Sequence, residues 1–354
     1  MSDRYQPTSV RGISREDVAQ YRPPSVVMTT ELGALALRGP VLTASGCAGT
    51  GRELDAFFDI GAIGAFITPS ISLHARAGLP TPRMAETPSG LVHAIGHQGP
   101  GVDRFIERDL AWLSQRGVRV IVSVVGATPE EYPKVAQRLR SAGGFDGIEV
   151  NLAAANPATP GRQLAHDPEA AASVVQSVRR HGDSRIPVLA KLSCDASDIV
   201  EVARAVVRAG ADALTLVNAP AALDIDVDTM LPALGGVVGS LSGPAIRPLA
   251  LRCVWQVREA LPHVPILGSG GIRNGLDALA FILAGAHAVS IGATLFRDPS
   301  APIRIHDELA RALDERGFAS LDQAISYAHR SVAAAEDSID GDALPDDAGA
   351  VRSG

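Results

Sequence analysis

Two asparagines, Asn151 and Asn156, have the residue type and the spacing of a ligand-binding pair. Asn151 ends an apolar run that is typical of a buried parallel strand, and Asn156 follows five residues later. A side-chain amide can both donate a hydrogen bond to a ligand and accept one, although asparagine also caps turns. The alanines at 153–155 leave a space between the amides that offers no proton donor or acceptor. The segment therefore predicts a recognition site without an acid or base at its centre.

Other residues that follow predicted strands also have a type that suits ligand binding. Lys191 needs an anion or a carbonyl group if it is buried, and an ion pair with a carboxylate such as Glu149 is the structural alternative. Asn218 can bind a planar ligand or cap a turn. Glycine-containing loops at 268–272 and 291–294 come directly after late strands, where bare N–H groups can bind phosphate. The alternative for these glycines is that they only make tight turns.

Short apolar runs alternate with helical patterns from residue 41 to about 295, which predicts a (β/α)₈ TIM barrel. A doubly wound open sheet is the alternative. Insertions at 69–101 and 219–245 follow strands, so they are expected over the mouth at the C-terminal end of the barrel. The eight predicted strands are Val41–Ser45, Ala62–Thr68, Val118–Val124, Gly147–Leu152, Val188–Leu192, Ala213–Val217, Pro265–Gly268 and Ala288–Ile291.

Capping signals and apolar patterns predict several of the helices between these strands. A capping box at 128–131 predicts one helix, with Thr128 as its cap. Asp167 followed by a proline predicts a second start, and Ile199–Arg208 is predicted as a third helix. Residues 303–331 also have a helical pattern.

Composition excludes several classes of protein. The chain has 354 residues, of which 46% are hydrophobic and 4% aromatic, and a formal net charge of −7. It has no long basic run for nucleic acid, no apolar run of membrane-spanning length and no signal peptide, which predicts a cytoplasmic protein. Its three cysteines are scattered singly, so neither a disulfide framework nor a metal site is expected. The predicted division is a polar N-terminal extension at 1–27, a barrel at 28–331 and a disordered acidic tail at 332–354.

Several segments, taken in chain order, resemble the soluble type B dihydroorotate dehydrogenases. The resemblance covers roughly residues 28–330. It is carried by Ala44–Cys47, Pro80–Thr87, Ala94–Gly101, Lys191–Ser193, Leu241–Pro248 and the two late glycine loops. The resemblance implies FMN across the barrel mouth, with Lys191 near N1 and C2=O of the flavin ring. The implied cofactor contacts are Ala44, Ser45, Gly46, Ser70, Asn151, Lys191, Ser242, Gly243, Gly270, Gly271, Gly292 and Ala293.

The departures from the family pattern fall mainly on the substrate side of the implied site. The family has Asn-x-x-Cys-Pro-Asn with cysteine as the catalytic base, whereas this chain has Ala154 in the place of that cysteine. A lysine that contacts flavin and substrate is replaced by Pro69. Two asparagines are replaced by His93 and Ser123. The implied substrate contacts are His93, Ser123, Asn151, Asn156 and Asn218, and the implied catalytic residues are His93, Ser123 and Lys191.

These features predict an FMN-dependent oxidoreductase that acts on a small molecule other than dihydroorotate, in a specialised pathway. Oxidation at a C–N bond and reduction of an activated C=C bond are both open. The alternatives are a non-catalytic flavin-binding subunit, a lyase or isomerase without redox chemistry, and residual dihydroorotate dehydrogenase activity. The resemblance also implies a homodimer and an electron-transfer partner subunit that carries an iron–sulfur cluster and FAD.

Overall fold

A parallel eight-stranded sheet forms the centre of the computed structural model, which describes residues 25–154 and 164–332. Its strands, numbered in chain order, are β1 (Val41–Thr43), β2 (Phe66–Ile67), β3 (Val120–Val124), β4 (Gly147–Asn151), β5 (Val188–Ser193), β6 (Ala213–Asn218), β7 (Ile266–Ser269) and β8 (Ala288–Ile291). The spatial order is β1-β8-β7-β6-β5-β4-β3-β2, and a bridge between Leu42 and Ala65 joins β1 to the segment that leads into β2. The sheet therefore curves round into a barrel, and the predicted (β/α)₈ fold is confirmed.

The interior of the barrel explains why its strands are continuous apolar runs. Every residue of β3, β4 and β5 is buried, because helices cover the outer face and side chains fill the inner one. An antiparallel hairpin, Thr30–Leu32 with Leu35–Leu37, contributes leucines to the inner apolar cluster. That cluster lies around the strand starts, so the hairpin closes the amino-terminal end of the barrel. The sequence did not predict this hairpin.

The helices that cover the barrel follow the predicted pattern with two exceptions. Their bounds are Arg52–Asp55, Val102–Phe105, Ala111–Leu113, Glu131–Ala142, Pro168–His181, Ile199–Arg208, Arg247–Ala260, Gly275–Leu283, Ala301–Asp314 and Leu321–Ala324. The Asp167 carboxylate caps its helix by accepting the N–H groups of Glu169 and Ala170, as predicted. The helical pattern predicted over 303–331 is interrupted, since the chain leaves one helix after Asp314 and begins the next at Leu321. No helix within 25–154 and 164–332 is long and apolar enough to cross a bilayer.

The predicted capping box at Thr128 is wrong. The helix begins at Glu131, and the Thr128 carbonyl, not its hydroxyl, accepts the Glu131 N–H at 3.1 Å. The Glu131 carboxylate accepts the Ala127 N–H at 2.7 Å instead of closing a box with Thr128. The acidic side chain is still used at the helix start, but it binds one residue further back than the pattern predicts.

The two insertions pair with each other to form a four-stranded antiparallel sheet, here called the cap sheet. The first insertion supplies Met84–Thr87 and Gly90–His93, and the second supplies Ala221–Ala222 and Gly239–Ser242. Because the insertions follow β2 and β6, the cap sheet lies over the carboxyl ends of the barrel strands. The predicted position of the insertions is therefore confirmed.

Candidate functional site

Polar side chains and glycines meet at the carboxyl end of the barrel, where active sites of this fold are found. They come from every barrel strand or from the loop after it. Ser45 follows β1, Ser70 follows β2, Ser123 lies in β3, Asn151 in β4, Lys191 in β5 and Asn218 in β6, and glycine loops follow β7 and β8. The fold thus brings together side chains that are far apart in the sequence.

Four of these residues, Ser45, Ser70, Ser123 and Asn151, form a hydrogen-bonded group here called the serine–asparagine cluster. Its centre is the Ser70 hydroxyl, which lies 3.0 Å from Ser123 Oγ and 3.4 Å from Ser45 Oγ and accepts from Asn151 Nδ2 at 3.0 Å. Ser123 is fully enclosed, so its hydroxyl can reach a ligand only through Ser70. Within the described residues, the buried Asn151 Oδ1 has no hydrogen-bond partner. A buried acceptor without a partner is costly, so this oxygen is suited to a donor on a bound molecule.

We expect the variant Ser70→Ala to lower the free energy of unfolding by about 1–3 kcal/mol, because it leaves the buried amide of Asn151 without its partner. Urea unfolding of the two proteins measures the difference. The matched control is Ser72→Ala, which removes a buried hydroxyl two residues away that donates to the His74 carbonyl at 2.7 Å. Equal losses for the two variants would contradict a central role for Ser70 in the cluster.

The end of β4 is held from outside the barrel by Tyr132. This tyrosine is fully buried, and its hydroxyl donates to the Asn151 backbone carbonyl at 2.9 Å. Burial raises the pKa of the Tyr132 phenol to about 12, so it remains a donor at neutral pH. Asn151 is therefore fixed at its backbone by a helix and at its side chain by Ser70.

Lys191 is buried beside Glu149, so the predicted structural alternative for this lysine is present. Its ammonium lies 3.5 Å from Glu149 Oε1, and the other carboxylate oxygen accepts from Thr215 Oγ1 at 3.0 Å. At this distance the two groups form an ion pair without a hydrogen bond, since Glu149 Oε1 accepts no hydrogen bond within the described residues. The ammonium donors of Lys191 are thus still available to a ligand at the mouth.

Two histidines lie in the first insertion near the mouth. His93 is half-buried, and its Nε2 lies 2.9 Å from Ser242 Oγ of the second insertion. Burial lowers the pKa of His93 below its usual value. His97 has a left-handed backbone (φ 51°), and burial, aided by the positive charges of Arg76 and Lys191, lowers its pKa to about 4. Both imidazoles are therefore neutral at pH 7, which makes them proton acceptors rather than acids.

The lowered pKa of His97 predicts a loss of stability in acid. Between pH about 6.5 and about 4 the unfolded chain binds a proton at this residue and the folded chain does not, so the free energy of unfolding falls as the pH is lowered. We expect His97→Gln to reduce the number of protons taken up on unfolding at pH 5 by about one. His287 provides a second case, because burial and the charge of Arg258 lower its pKa to about 4. The variant His97→Gln/His287→Gln should therefore take up about two fewer protons on unfolding at pH 5 than the wild type. An unchanged pH dependence of urea unfolding would contradict the expectation.

Neither Ala154 nor Cys47 supplies the thiol base of the family motif. Ala154 is buried, with 8% of its surface exposed, and offers no titratable group. Cys47 lies on the opposite side of the mouth, close to Gly292, and burial raises the pKa of its thiol to about 11 even though Lys191 acts in the other direction. A thiol with such a pKa is protonated at neutral pH and is a poor base.

The late glycine loops are tied to each other and to the first barrel strand. Thr294 Oγ1 donates to the Ile272 carbonyl at 2.7 Å, and the Ala44 N–H donates to the Ile291 carbonyl at 2.8 Å. A Cβ atom on Gly271, which has φ +72°, would lie 2.8 Å from both Arg247 Cβ and the Gly243 carbonyl oxygen. The loop therefore needs a residue without a side chain at this position, as a cradle for a phosphate does.

Arginines beside the glycine loops were not singled out from the sequence. Arg247 and Arg273 both pair with the buried Asp277, and Arg273 Nε lies 2.8 Å from its carboxylate. The pairing positions two cationic side chains next to Gly271. An arginine soon after a glycine loop is the signal that would have suggested them.

The remaining residues predicted to contact cofactor or substrate differ in their burial and in their place in the fold. Asn218 is half-buried at the end of β6, and its Nδ2 lies 3.4 Å from the Ala153 carbonyl. Gly46 is exposed at the mouth, and Ser242 and Gly243 lie where the cap sheet meets the barrel. Ala293 begins the short helical turn after β8. Asn156 lies outside the described residues.

Comparison with known proteins identifies the family. The family model for dihydroorotate dehydrogenase matches residues 27–313. The chain is 42% identical over 300 residues to the catalytic subunit of dihydroorotate dehydrogenase B (NAD(+)) of Desulforudis audaxviator, and the aligned region covers 85% of this chain and 97% of the relative. It is 44% identical over 298 residues to the protein of the same name from Geobacter sp. strain M21, and the aligned region covers 84% of this chain and 97% of the relative.

The matches cover the barrel, the cap sheet and the glycine loops together. They confirm the predicted chemistry, oxidoreduction, and the predicted cofactor, FMN. Three features fit that cofactor: the cradle at Gly271, the ammonium of Lys191, and Asn151 Oδ1, which has no partner in the described part of the chain. This chain belongs to the dihydroorotate dehydrogenase family.

Proposed function

We propose that this chain is an FMN-dependent oxidoreductase that acts on a small substrate other than dihydroorotate, at a C–N or a C–C bond. The observation that carries the proposal is Ala154, a buried methyl group at the position where the family motif has its cysteine base. Removal of a proton from an unactivated carbon needs a base, which typically contributes about 10²–10⁴-fold to the rate. A substrate whose own nitrogen lone pair assists loss of hydride does not need a strong base.

The cofactor would be held by residues from the barrel mouth. The glycine loops at 270–271 and 292–293 would bind the phosphate, and Lys191 and the serine–asparagine cluster would contact the ring. When bound, FMN accepts or donates a hydride at N5 of that ring. Ser242 and Gly243 would close the site from the cap sheet.

The protein's own residues would bind the substrate and handle its proton. Asn151 has a buried acceptor oxygen without a partner among the described residues, and Asn218 Nδ2 lies 3.4 Å from the Ala153 carbonyl. Burial lowers the pKa of His93, so its neutral imidazole can accept a proton from a substrate N–H. The cap sheet over the mouth would exclude bulk water from the hydride transfer.

The electron partner is proposed from the relatives. Both of the relatives described above are named as catalytic subunits, which implies a further subunit in those enzymes. We propose that this chain, too, exchanges electrons with an iron–sulfur and FAD-containing partner, and that it forms a homodimer. Size-exclusion chromatography of the protein, purified alone and together with the product of a neighbouring gene, tests both statements.

An anaerobic screen of flavin bleaching tests the proposed function. FMN-loaded protein is mixed with primary and secondary amines, cyclic imines, activated alkenes and dihydroorotate, and the absorbance of the oxidised flavin is followed. The proposal expects bleaching by a member of the amine panel, or reoxidation of reduced flavin by an imine or alkene, and slow or no bleaching by dihydroorotate. Rapid bleaching by dihydroorotate would overturn it. Product formation without any flavin change would favour a lyase or an isomerase.

A further inference from the structure

We infer that Glu149 sets the reduction potential of the bound flavin by opposing the positive charge of Lys191. The inference rests on one part of the proposed function, the contact of Lys191 with FMN, and is independent of the substrate. It starts from the finding that a carboxylate with no exposed surface lies 3.5 Å from the one buried lysine at the mouth within the described residues.

Three adjacent strands fix the groups that carry this inference. Glu149 lies in β4, Lys191 in β5 and Thr215 in β6, and the register places Thr215 beside Lys191. The Thr215 hydroxyl donates to Glu149 Oε2 at 3.0 Å, so the carboxylate is held by one oxygen. Its other oxygen, Oε1, accepts no hydrogen bond from the described residues and faces the Lys191 ammonium.

The charges determine the direction of the effect. Two-electron reduction of the flavin takes two electrons from an external reductant and one proton from solvent, and it leaves one negative charge on the ring. A lysine alone would stabilise that charge and raise the reduction potential. A buried carboxylate beside the lysine acts in the opposite sense, and the low dielectric of the interior screens it little. Glu149 should therefore hold the potential below the value that Lys191 alone would give.

The test measures the equilibrium between FMN-loaded protein and a reference dye during slow anaerobic reduction by xanthine and xanthine oxidase. We expect Glu149→Gln to shift this equilibrium about tenfold towards reduced flavin, which is about 30 mV for a two-electron couple. Glu149→Asp, which retracts the carboxylate from the ammonium, should give a smaller shift in the same direction. Lys191→Met should shift the equilibrium the other way, and Glu149→Gln/Lys191→Met should lie close to the wild type.

The control is Glu201→Gln, the same chemical change at an exposed position on the helix Ile199–Arg208, and it should leave the equilibrium unchanged. If Lys191→Met has no effect, FMN does not lie beside this lysine, and both the proposed contact and the inference fail. If Lys191→Met lowers the potential but neither Glu149 variant raises it, only the inference is overturned. Should Glu149→Gln not fold, Glu149→Asp decides, because it keeps the buried pair charged.

Discussion

Replacing Gly271 with alanine should weaken FMN binding by about 100-fold. The new methyl group would lie 2.8 Å from Arg247 Cβ and from the Gly243 carbonyl oxygen, and the backbone there has φ +72°. Since L-residues are disfavoured in the left-handed region by about 1–2 kcal/mol, the loop must move as well as make space. Displacement of N–H groups that bind a charged phosphate loses about 1.5–3 kcal/mol for each hydrogen bond.

A substitution at a second glycine serves as the control, because it introduces the same backbone strain without disturbing the phosphate loop. Gly117, in the loop that leads to β3, has φ +67°, and a Cβ atom there would meet nothing within 4 Å. Gly117→Ala should therefore lower stability by about 1–2 kcal/mol and leave FMN affinity unchanged. Titration of the apoprotein with FMN, followed by fluorescence, measures both affinities. Full FMN affinity in Gly271→Ala would show that this loop does not hold the phosphate.

Dihydroorotate should reduce the flavin of the variant Pro69→Lys/His93→Asn/Ala154→Cys at least about 100-fold faster than that of the wild type. The variant restores the family's base, a lysine that contacts flavin and substrate, and an amide ligand. The base alone is typically worth about 10²–10⁴-fold once the substrate is oriented. Ala154→Cys by itself should gain less than about tenfold, because its thiol would face a substrate that the site does not hold. Anaerobic stopped-flow absorbance measures the rates.

The matched control introduces the same thiol one residue away. Ala153 packs into the main hydrophobic cluster, whereas Ala154 is not part of that cluster. We expect Ala153→Cys/Pro69→Lys/His93→Asn to remain as slow as the wild type with dihydroorotate. Equal rates for the two triple variants, or a fast wild type, would contradict the view that position 154 determines which substrate is oxidised.

Much of the fold is predictable because the barrel strands are buried on both faces. Such strands become continuous apolar runs that stand out from the amphipathic helices between them. The cap sheet gives no comparable signal. Its strands have two to four residues, and His93 pairs with Ser240 in the other insertion as well as with Met84 in its own. Pairing between short strands so far apart is decided by the barrel beneath them and not by local sequence.

The candidate site was predictable in its positions but not in its contacts. Ser45, Ser70, Ser123 and Asn151 each lie at or after a predicted strand end, so their meeting follows from closure of the barrel. Which hydroxyl lies at the centre does not follow, because it depends on side-chain distances of 3.0–3.4 Å across neighbouring strands. The motif at Thr128 shows the opposite case. Its residues match a capping box, but the Glu131 carboxylate binds the N–H of Ala127 and not that of Thr128.

The pairing of the two insertions limits how this protein can be recombined with its relatives. Residues 91–93 form a ladder with 240–242, and the His93 imidazole also meets the Ser242 hydroxyl at 2.9 Å. A chimaera that imports only one insertion would therefore join mismatched edges above the mouth, while an exchange of both insertions together keeps the ladder. Transfer of substrate preference between family members should therefore require that both insertions are exchanged together.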